Sequence, residues 1–351
     1  MKIPSRCTKS LGIETPIIQA PMAGGTTTPE LVAEVSNAGG LGSLGAGYMA
    51  PAALDDAIDD IRSLTERPFA VNLFVPRPPT EDAERVERSN TRLDIFRGEL
   101  GIERPVPPER YAPSFEAQFE AVVMARVPVF SFTFGALDVT QVERLKDAGS
   151  GVIGTATTVA EAVALEKTGV DMIVAQGSDA GGHRGTFLHP FEQALIGTMS
   201  LVPQVADAVT VPVIASGGIM DGRGVAAAFM LGASAVQMGS AFLLCQESGA
   251  NPAHQRALLD EGAVDTTVTR AFSGKPARGI RNRFITDMAD LESTLPDYPI
   301  QNAWTKDVRA AASKQRQPEF MSLWAGQAAR LGRQTTARQL VADIRDYLRS
   351  V

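Results

Sequence analysis

The chain has 351 residues, 44% of them apolar, with 32 glycines and 22 prolines; this is enough for one large core such as an α/β barrel, or for two ordinary domains. Its 33 basic and 40 acidic residues leave a formal charge of −7 with no run of like charges, which argues against nucleic acid as a partner. Cys7 and Cys245 lie far apart without CxxC spacing, no apolar stretch approaches ~18 residues and the opening MKIPSRCTKSLGIETP has no apolar signal region, so neither a disulfide framework, a zinc knuckle nor a membrane span is expected and the reading is a soluble, cytoplasmic protein.

In chain order, short apolar runs predict strands at 16–22 (PIIQAPM), 40–47 (GLGSLGAG), 69–74 (FAVNLF), 127–135 (VPVFSFTFG), 151–157 (GVIGTAT), 171–177 (DMIVAQG), 211–219 (VPVIASGGI) and 234–242 (SAVQMGSAF). Helical patterns separate most of them: PELVAEVSNAG, with Pro29 in the first turn and Gly39 as the stop, then LDVTQVERLKDAG, VAEAVALEKTG and DGRGVAAAFMLG. Near-continuous apolar strands between helices imply a parallel sheet covered on both faces. An open doubly wound sheet shares the early pattern, but eight units, and no acidic residue ending the second strand after a GxGxxG turn, favour a (β/α)8 TIM barrel.

Two segments break the rhythm. Residues 76–113 are proline-rich and charged and read as an excursion from the barrel with one short helix. Residues 248–312 read as a small lid or substrate subdomain on a barrel of 1–247, and 313–351 as C-terminal helices that pack back on the barrel.

A barrel of this kind places its active site at the C-terminal ends of the strands and often seats a phosphate on the loops after strands seven and eight. Gly217 and Gly218 end strand seven; Gly239 and Ser240 lie in the eighth. These glycines either only turn the chain or bring backbone N–H groups to an anionic oxygen, with Ser240 adding a hydroxyl. Gln19 and Met22 flank Ala20 and Pro21 in strand one, Asn72 lies in strand three and Gln176 ends strand six; the amides of Gln19, Asn72 and Gln176 suit the mixed donor and acceptor edge of a flavin. His183 sits in QGSDAGGHRGTF, among four glycines; at the top of a barrel strand it is the expected catalytic residue, while His189 and His254 have no motif around them.

PIIQAPMAGG (16–25), QGSDAGGHRGTF (176–187), PVIASGGIMDGRG (212–224), AVQMGSAFL (235–243) and FSGKPARGIRN (272–282) resemble the class I nitronate monooxygenases, formerly called 2-nitropropane dioxygenases, over nearly the whole chain. QAPMAGG and the GG-x-DG run are shared with related flavin barrels; AGGHRGTF is the narrower signal. The resemblance implies noncovalent FMN and oxidation of alkyl nitronates, such as propionate 3-nitronate, with O2 to a carbonyl compound and nitrite. It implies FMN contacts at Met22, Asn72, Gln176, Gly181, Gly217, Gly218, Gln237, Met238, Gly239 and Ser240, with His183 facing the substrate. Some members carry a histidine in the fourth strand where this chain has Thr133, which would meet a nitro oxygen through its hydroxyl.

A nitronate is an anion, so His183 is expected to supply an N–H donor or partial positive charge, and to act as base if neutral nitroalkanes are accepted. For a carboxylated substrate, Arg184, Lys275, Arg281 and Lys306 are the candidate cations. The partners are then a small nitronate and O2, and a homo-oligomer is left open. Two alternatives stand beside this reading: a flavin-dependent NAD(P)H reductase of the enoyl-acyl carrier protein reductase II or NADH:quinone reductase type, and a flavin- or phosphate-binding protein without turnover. The sequence after the histidine, HRGTF, sides with the monooxygenases.

Overall fold

The computed structural model describes residues 6–75, 77–260 and 265–351, so Pro76 at the start of the excursion and residues 261–264 of the expected subdomain lie outside it. The strands are β1 (Ile17–Gln19), β2 (Gly42–Gly45), β3 (Phe69–Phe74), β4 (Val129–Thr133), β5 (Gly151–Ala156), β6 (Met172–Gln176), β7 (Gly182–His183), β8 (Val213–Ser216), β9 (Ala235–Met238), β10 (Thr266–Thr269) and β11 (Ala277–Ile280). Eight of them form one parallel sheet in the order β1-β9-β8-β6-β5-β4-β3-β2. Its ends meet where Ile18 bridges Leu41, with Leu41 donating to Ile17 O and Gln19 donating to Leu41 O, each at 2.9 Å. The fold is a (β/α)8 barrel.

Strand alternation divides the apolar residues between two layers. Ile18, Ala70, Val129, Ile153, Met172, Val174, Ile214 and Ala235 pack together with Cys7, Leu11 and Ile13 of the N-terminal segment. Their neighbours Ile17, Val71, Phe130, Val152, Ile173, Val213 and Val236 pack with residues of the surrounding helices. The first group fills the barrel interior and the second its outer wall, as a period of two requires. The helices begin where local chemistry starts them: Thr28 accepts from Leu31 N at the head of Pro29–Asn37, and Asp138 with Gln141 forms a capping box at the head of Val139–Asp147.

A second core lies outside the barrel. Phe272, Phe284, Ile300, Trp304, Val308 and Phe320 form it together with Leu93, Phe96 and Leu100 of the helix Ala83–Leu100. The excursion therefore carries an 18-residue helix rather than a short one, capped by Asp82 at its start and by Gly101 in the left-handed conformation at its end. Arg97, almost wholly buried, joins this helix to Lys306–Gln315 through Asp307 at 2.7 Å. The two interruptions of the barrel rhythm thus build one body. Phe320, Met321, Leu323 and Ala325 belong to it as well, while Ala337–Ser350 packs on the barrel. No helix among the described residues is long and apolar enough to cross a membrane.

Candidate active site

β7 is not a free glycine loop. Gly182 and His183 pair antiparallel with Arg278 and Ala277 of β11, which pairs in turn with β10. Arg184 N donates to Pro276 O at 2.8 Å and continues the pairing. His183 therefore stands where the barrel top is stitched to the second body, on backbone held by sheet hydrogen bonds.

Gln176, which ends β6, fixes this segment from the other side. Its Nε2 donates to His183 O at 3.0 Å and its Oε1 accepts from Gly185 N at 2.8 Å. Glu161 Oε1 accepts from Phe187 N and Leu188 N beyond. Arg184, expected as a substrate cation, is buried with its guanidinium turned onto Gly177 O at 2.5 Å and onto Gln176 O and Ala194 O at 3.0 Å. It braces the loop backbone, because a guanidinium without a carboxylate collects carbonyls.

The imidazole contacts Ser273. His183 Nε2 lies 2.8 Å from Ser273 Oγ, and that hydroxyl donates to Lys275 O at 3.0 Å while accepting from Lys275 N at 3.2 Å. With the hydroxyl proton on that carbonyl, Nε2 is the donor to Ser273 and Nδ1 is the ring atom left bare; with it on Nε2, the tautomer reverses. Rings of Phe134 (5.6 Å), Trp324 (5.4 Å) and Tyr298 (6.3 Å) surround the imidazole. Phe134 holds φ at +78°, a conformation rare for a bulky residue, which stacks its ring on Phe74 at 4.4 Å.

Two cations complete the enclosure. Lys275 Nζ stands 4.6 Å from the Phe134 ring centre and donates to Thr186 O; Arg309 bonds Thr305 and Asn302. Neither forms an ion pair with a carboxylate among the described residues. Burial, then the charges of Lys275 and Arg309, pulls the His183 pKa down to about 3. Of the two expected roles, this shift favours the neutral N–H donor over the partial positive charge while the site holds no anion. Burial, aided by the Arg77 charge, brings Lys275 down to about 8.

The other expected residues distribute as follows. Lys306 is exposed at the start of its helix; the residue that reaches the site is Arg309, on the same face as buried Val308 and Ala312. Arg281 is paired with Asp265 at 3.1 Å in the open. Thr133 is half-buried, and a Cβ on Gly185 would come within 2.9 Å of its Oγ1, so it abuts the His183 segment. Asn72 is buried and donates to Ser131 Oγ at 2.8 Å; Gln19 is wholly buried and bonded to Ser43. Met22 touches both cores, whereas Met238 packs its side chain in the outer layer and its carbonyl accepts from Ala20 N at 2.8 Å.

At the expected phosphate loops, β8 stops at Ser216 and β9 at Met238, shorter than predicted, and Ser240 opens a helix. Gly217 and Gly218 take φ of +116° and +71°. The N–H groups of Gly218 and Gly239 donate to no acceptor among the described residues, and a Cβ on Gly239 would meet nothing closer than 3.6 Å. Open donors on adjoining loops fit a flavin phosphate. Ser240 Oγ accepts from Gly326 N at 3.0 Å, and Gln327 N donates to Asp179 O at 2.9 Å, so the segment after Trp324 closes over this end. Gly181 allows that approach: a Cβ there would lie 2.5 Å from Ala325 C and Gly326 N.

Comparison with known proteins adds to this geometry. The family described as nitronate monooxygenase matches residues 5–346. A probable nitronate monooxygenase of Staphylococcus aureus strain JH9 is 48% identical over 348 residues, covering 99% of this chain and 98% of the relative. The solved nitroalkane oxidase of Streptomyces ansochromogenes is 40% identical with a TM-score of 0.92, covering 99% of this chain and 98% of its own. FabK from Thermotoga maritima is 32% identical with a TM-score of 0.78, covering 99% and 97%.

Proposed function

The chain belongs to the nitronate monooxygenase family and is an oxidoreductase, and on that footing we propose that it is an FMN-dependent nitronate monooxygenase, converting alkyl nitronates such as propionate 3-nitronate and O2 to a carbonyl compound and nitrite. The observation that carries this reading is a pair of cations, Lys275 and Arg309, without an ion-pair partner among the described residues, beside an enclosed His183 within a wall of aromatic rings. A partly buried cation without a carboxylate is a costly arrangement that an anionic ligand relieves.

Each residue then has a role. Gly217, Gly218, Gly239 and Ser240 offer backbone N–H groups to the FMN phosphate; Met22, Asn72, Gln176, Gly181, Gln237 and Met238 border the space for the ring, Met238 through its backbone. Bound flavin supplies the one-electron oxidation of the electron-rich nitronate in contact with O2. Lys275 provides the countercharge for the nitro oxygens, with the Thr133 hydroxyl as a neutral donor. His183 meets the substrate through Nδ1, since Nε2 is committed to Ser273. A bound nitronate offsets the two cations and raises the proton affinity of the imidazole, so His183 can hold a proton near it; with a neutral nitroalkane, the same charge develops only as the α-proton passes to His183 and stabilises the imidazolium formed.

Oxygen uptake with nitrite release from a nitronate tests this reading. The reductase alternative requires rapid anaerobic bleaching of the flavin by NADH. The higher identity and TM-score of the nitroalkane oxidase, against those of FabK, support the monooxygenase reading.

A further inference from the structure

We propose that Glu161 is the counter-ion of Lys275, acting through the single peptide group of Thr186 and Phe187 to hold the cation of the site in place and in its charged form. The role of Lys275 toward a substrate rests on the function proposed above; the bridge to Glu161 rests on geometry of its own.

Glu161 is wholly buried, and its carboxylate is surrounded by donors. Oε2 accepts from Thr157 N and Thr157 Oγ1, each at 2.7 Å, and Oε1 accepts from Phe187 N at 2.5 Å and Leu188 N at 3.0 Å. No cation among the described residues is in ion-pair contact with it, although a buried carboxylate is costly unless a positive charge compensates it. The Phe187 N–H belongs to the same peptide whose carbonyl, Thr186 O, accepts from Lys275 Nζ at 3.3 Å. That peptide is trans, so its C=O and N–H point opposite ways, and Lys275 and Glu161 stand at its two ends. The peptide dipole turns its oxygen to the ammonium and its hydrogen to the carboxylate, so each charge strengthens the bond made by the other. The Thr186 side chain closes the same link: its Oγ1 lies 2.8 Å from Thr157 Oγ1, which donates to Glu161.

The indirect pairing matters for what Lys275 can do. A carboxylate in contact would occupy the ammonium and cancel its attraction for an anion. Here one N–H is committed to Thr186 O and two are left for a ligand, while the compensating charge stays behind the peptide. Burial, then Arg77, lowers the Lys275 value; Glu161 raises it, and Arg270, itself paired with Asp297, lowers it. His183, which feels the Lys275 charge, is joined to the Lys275 backbone through Ser273. Arg184, the other cation that feels Glu161, has its guanidinium on the carbonyls of Gly177, Gln176 and Ala194. Glu161 thus acts through Lys275 and is a positioning residue.

The test is an NMR titration of flavin-loaded protein carrying carbon-13 at lysine Cε, with the Lys275 signal identified by its loss in Lys275→Met. The wild type should titrate near 8. Glu161→Gln, which removes the charge with little change in volume, should lower that midpoint by about one pH unit, a loss of about tenfold in proton affinity. Glu161→Asp, which keeps the charge on a shorter arm, should lose stability while moving the midpoint much less; a merely structural role would cost both variants stability and leave both midpoints in place. If Glu161→Gln does not fold, the Phe187 amide proton of the wild type decides: its shift should follow the Lys275 titration and lose that step in Lys275→Met. In turnover at about pH 8, Glu161→Gln should raise KM for a nitronate about fivefold with little change in kcat. A Lys275 midpoint unmoved in folded Glu161→Gln, or a Phe187 amide indifferent to the lysine titration, overturns the bridge. If no nitronate is oxidised, the NMR titration still decides it, so the two readings fail separately.

Discussion

Ser273 and His183 are joined side chain to side chain: the serine hydroxyl sits 2.8 Å from Nε2 and 3.0 Å from the Lys275 carbonyl, an arrangement that favours the Nε2–H tautomer. Ser273→Ala removes the acceptor and lets the ring exchange tautomers and turn. The expected result is roughly a five- to tenfold loss in kcat with flavin content unchanged, the size of one lost hydrogen bond. Nitrogen NMR of the labelled protein should show the Nε2–H tautomer in the wild type and a mixture in the variant.

Gln176 ties both ends of the His183 turn, accepting from Gly185 N and donating to His183 O. Gln176→Ala leaves two partly buried backbone groups unpaired, at a cost of about 1–3 kcal/mol. Denaturant unfolding should record that loss, and kcat should fall with it, because the residue positions the imidazole rather than merely supporting the fold.

Burial and the two cations depress His183 to about 3; burial depresses His254, whose Nε2 meets Trp324 O at 3.0 Å, to about 4. Both values lie below the ordinary histidine value of about 6.5. Between these folded values and about 6.5 the unfolded chain binds protons that the folded chain refuses, so stability must fall as pH is lowered through that window and is recovered above it. His254→Gln should remove about one proton from the slope of unfolding free energy against pH between about 4 and 6.5. Calorimetry of nitronate binding near pH 6 in two buffers should reveal uptake of a proton, since the bound anion raises the His183 pKa.

Gly181 is where the segment after Trp324 crosses the top of the barrel. Gly181→Ala would force a Cβ to within 2.5 Å of Ala325 C, which is backbone and cannot swing aside. The expected cost is about 1–3 kcal/mol of overpacking together with weakened flavin retention, measured by thermal unfolding and by the absorbance ratio of the purified protein.

Much of the barrel was legible because its signals are local. FAVNLF at 69–74 is strand along its full predicted length, and Pro29 and Gly39 bound their helix as chain chemistry dictates. The prominence of His183 also followed from its place after a barrel strand. What escaped depends on contacts distant in sequence. The pairing of Gly182 and His183 with Ala277 and Arg278 has no periodicity to announce it, and neither has the joining of the Ala83–Leu100 helix to Asp307. Arg309 could have been found in place of Lys306 from helical phase, because Val308 and Ala312 mark the buried face that Lys306 does not share. Which of the two expected roles His183 favours was not legible, because its ordinary value near neutrality belongs to a solvated ring, and here the ring is enclosed with two cations.

Removing the imidazole should separate chemistry from cofactor binding. His183→Ala is expected to retain FMN, since the residues proposed to hold the phosphate lie on other loops, and to lose about two to four orders of magnitude in turnover. Loss of flavin in this variant would place the role in the loop rather than in the ring.

The central claim is met most directly by following oxygen in the purified, FMN-loaded protein supplied with propionate 3-nitronate and no pyridine nucleotide, with nitrite assayed in the same sample. The account predicts oxygen uptake accompanied by nitrite release, both abolished in step by His183→Ala. No uptake with the nitronate, together with rapid anaerobic bleaching of the flavin by NADH, would contradict it and make the protein a reductase.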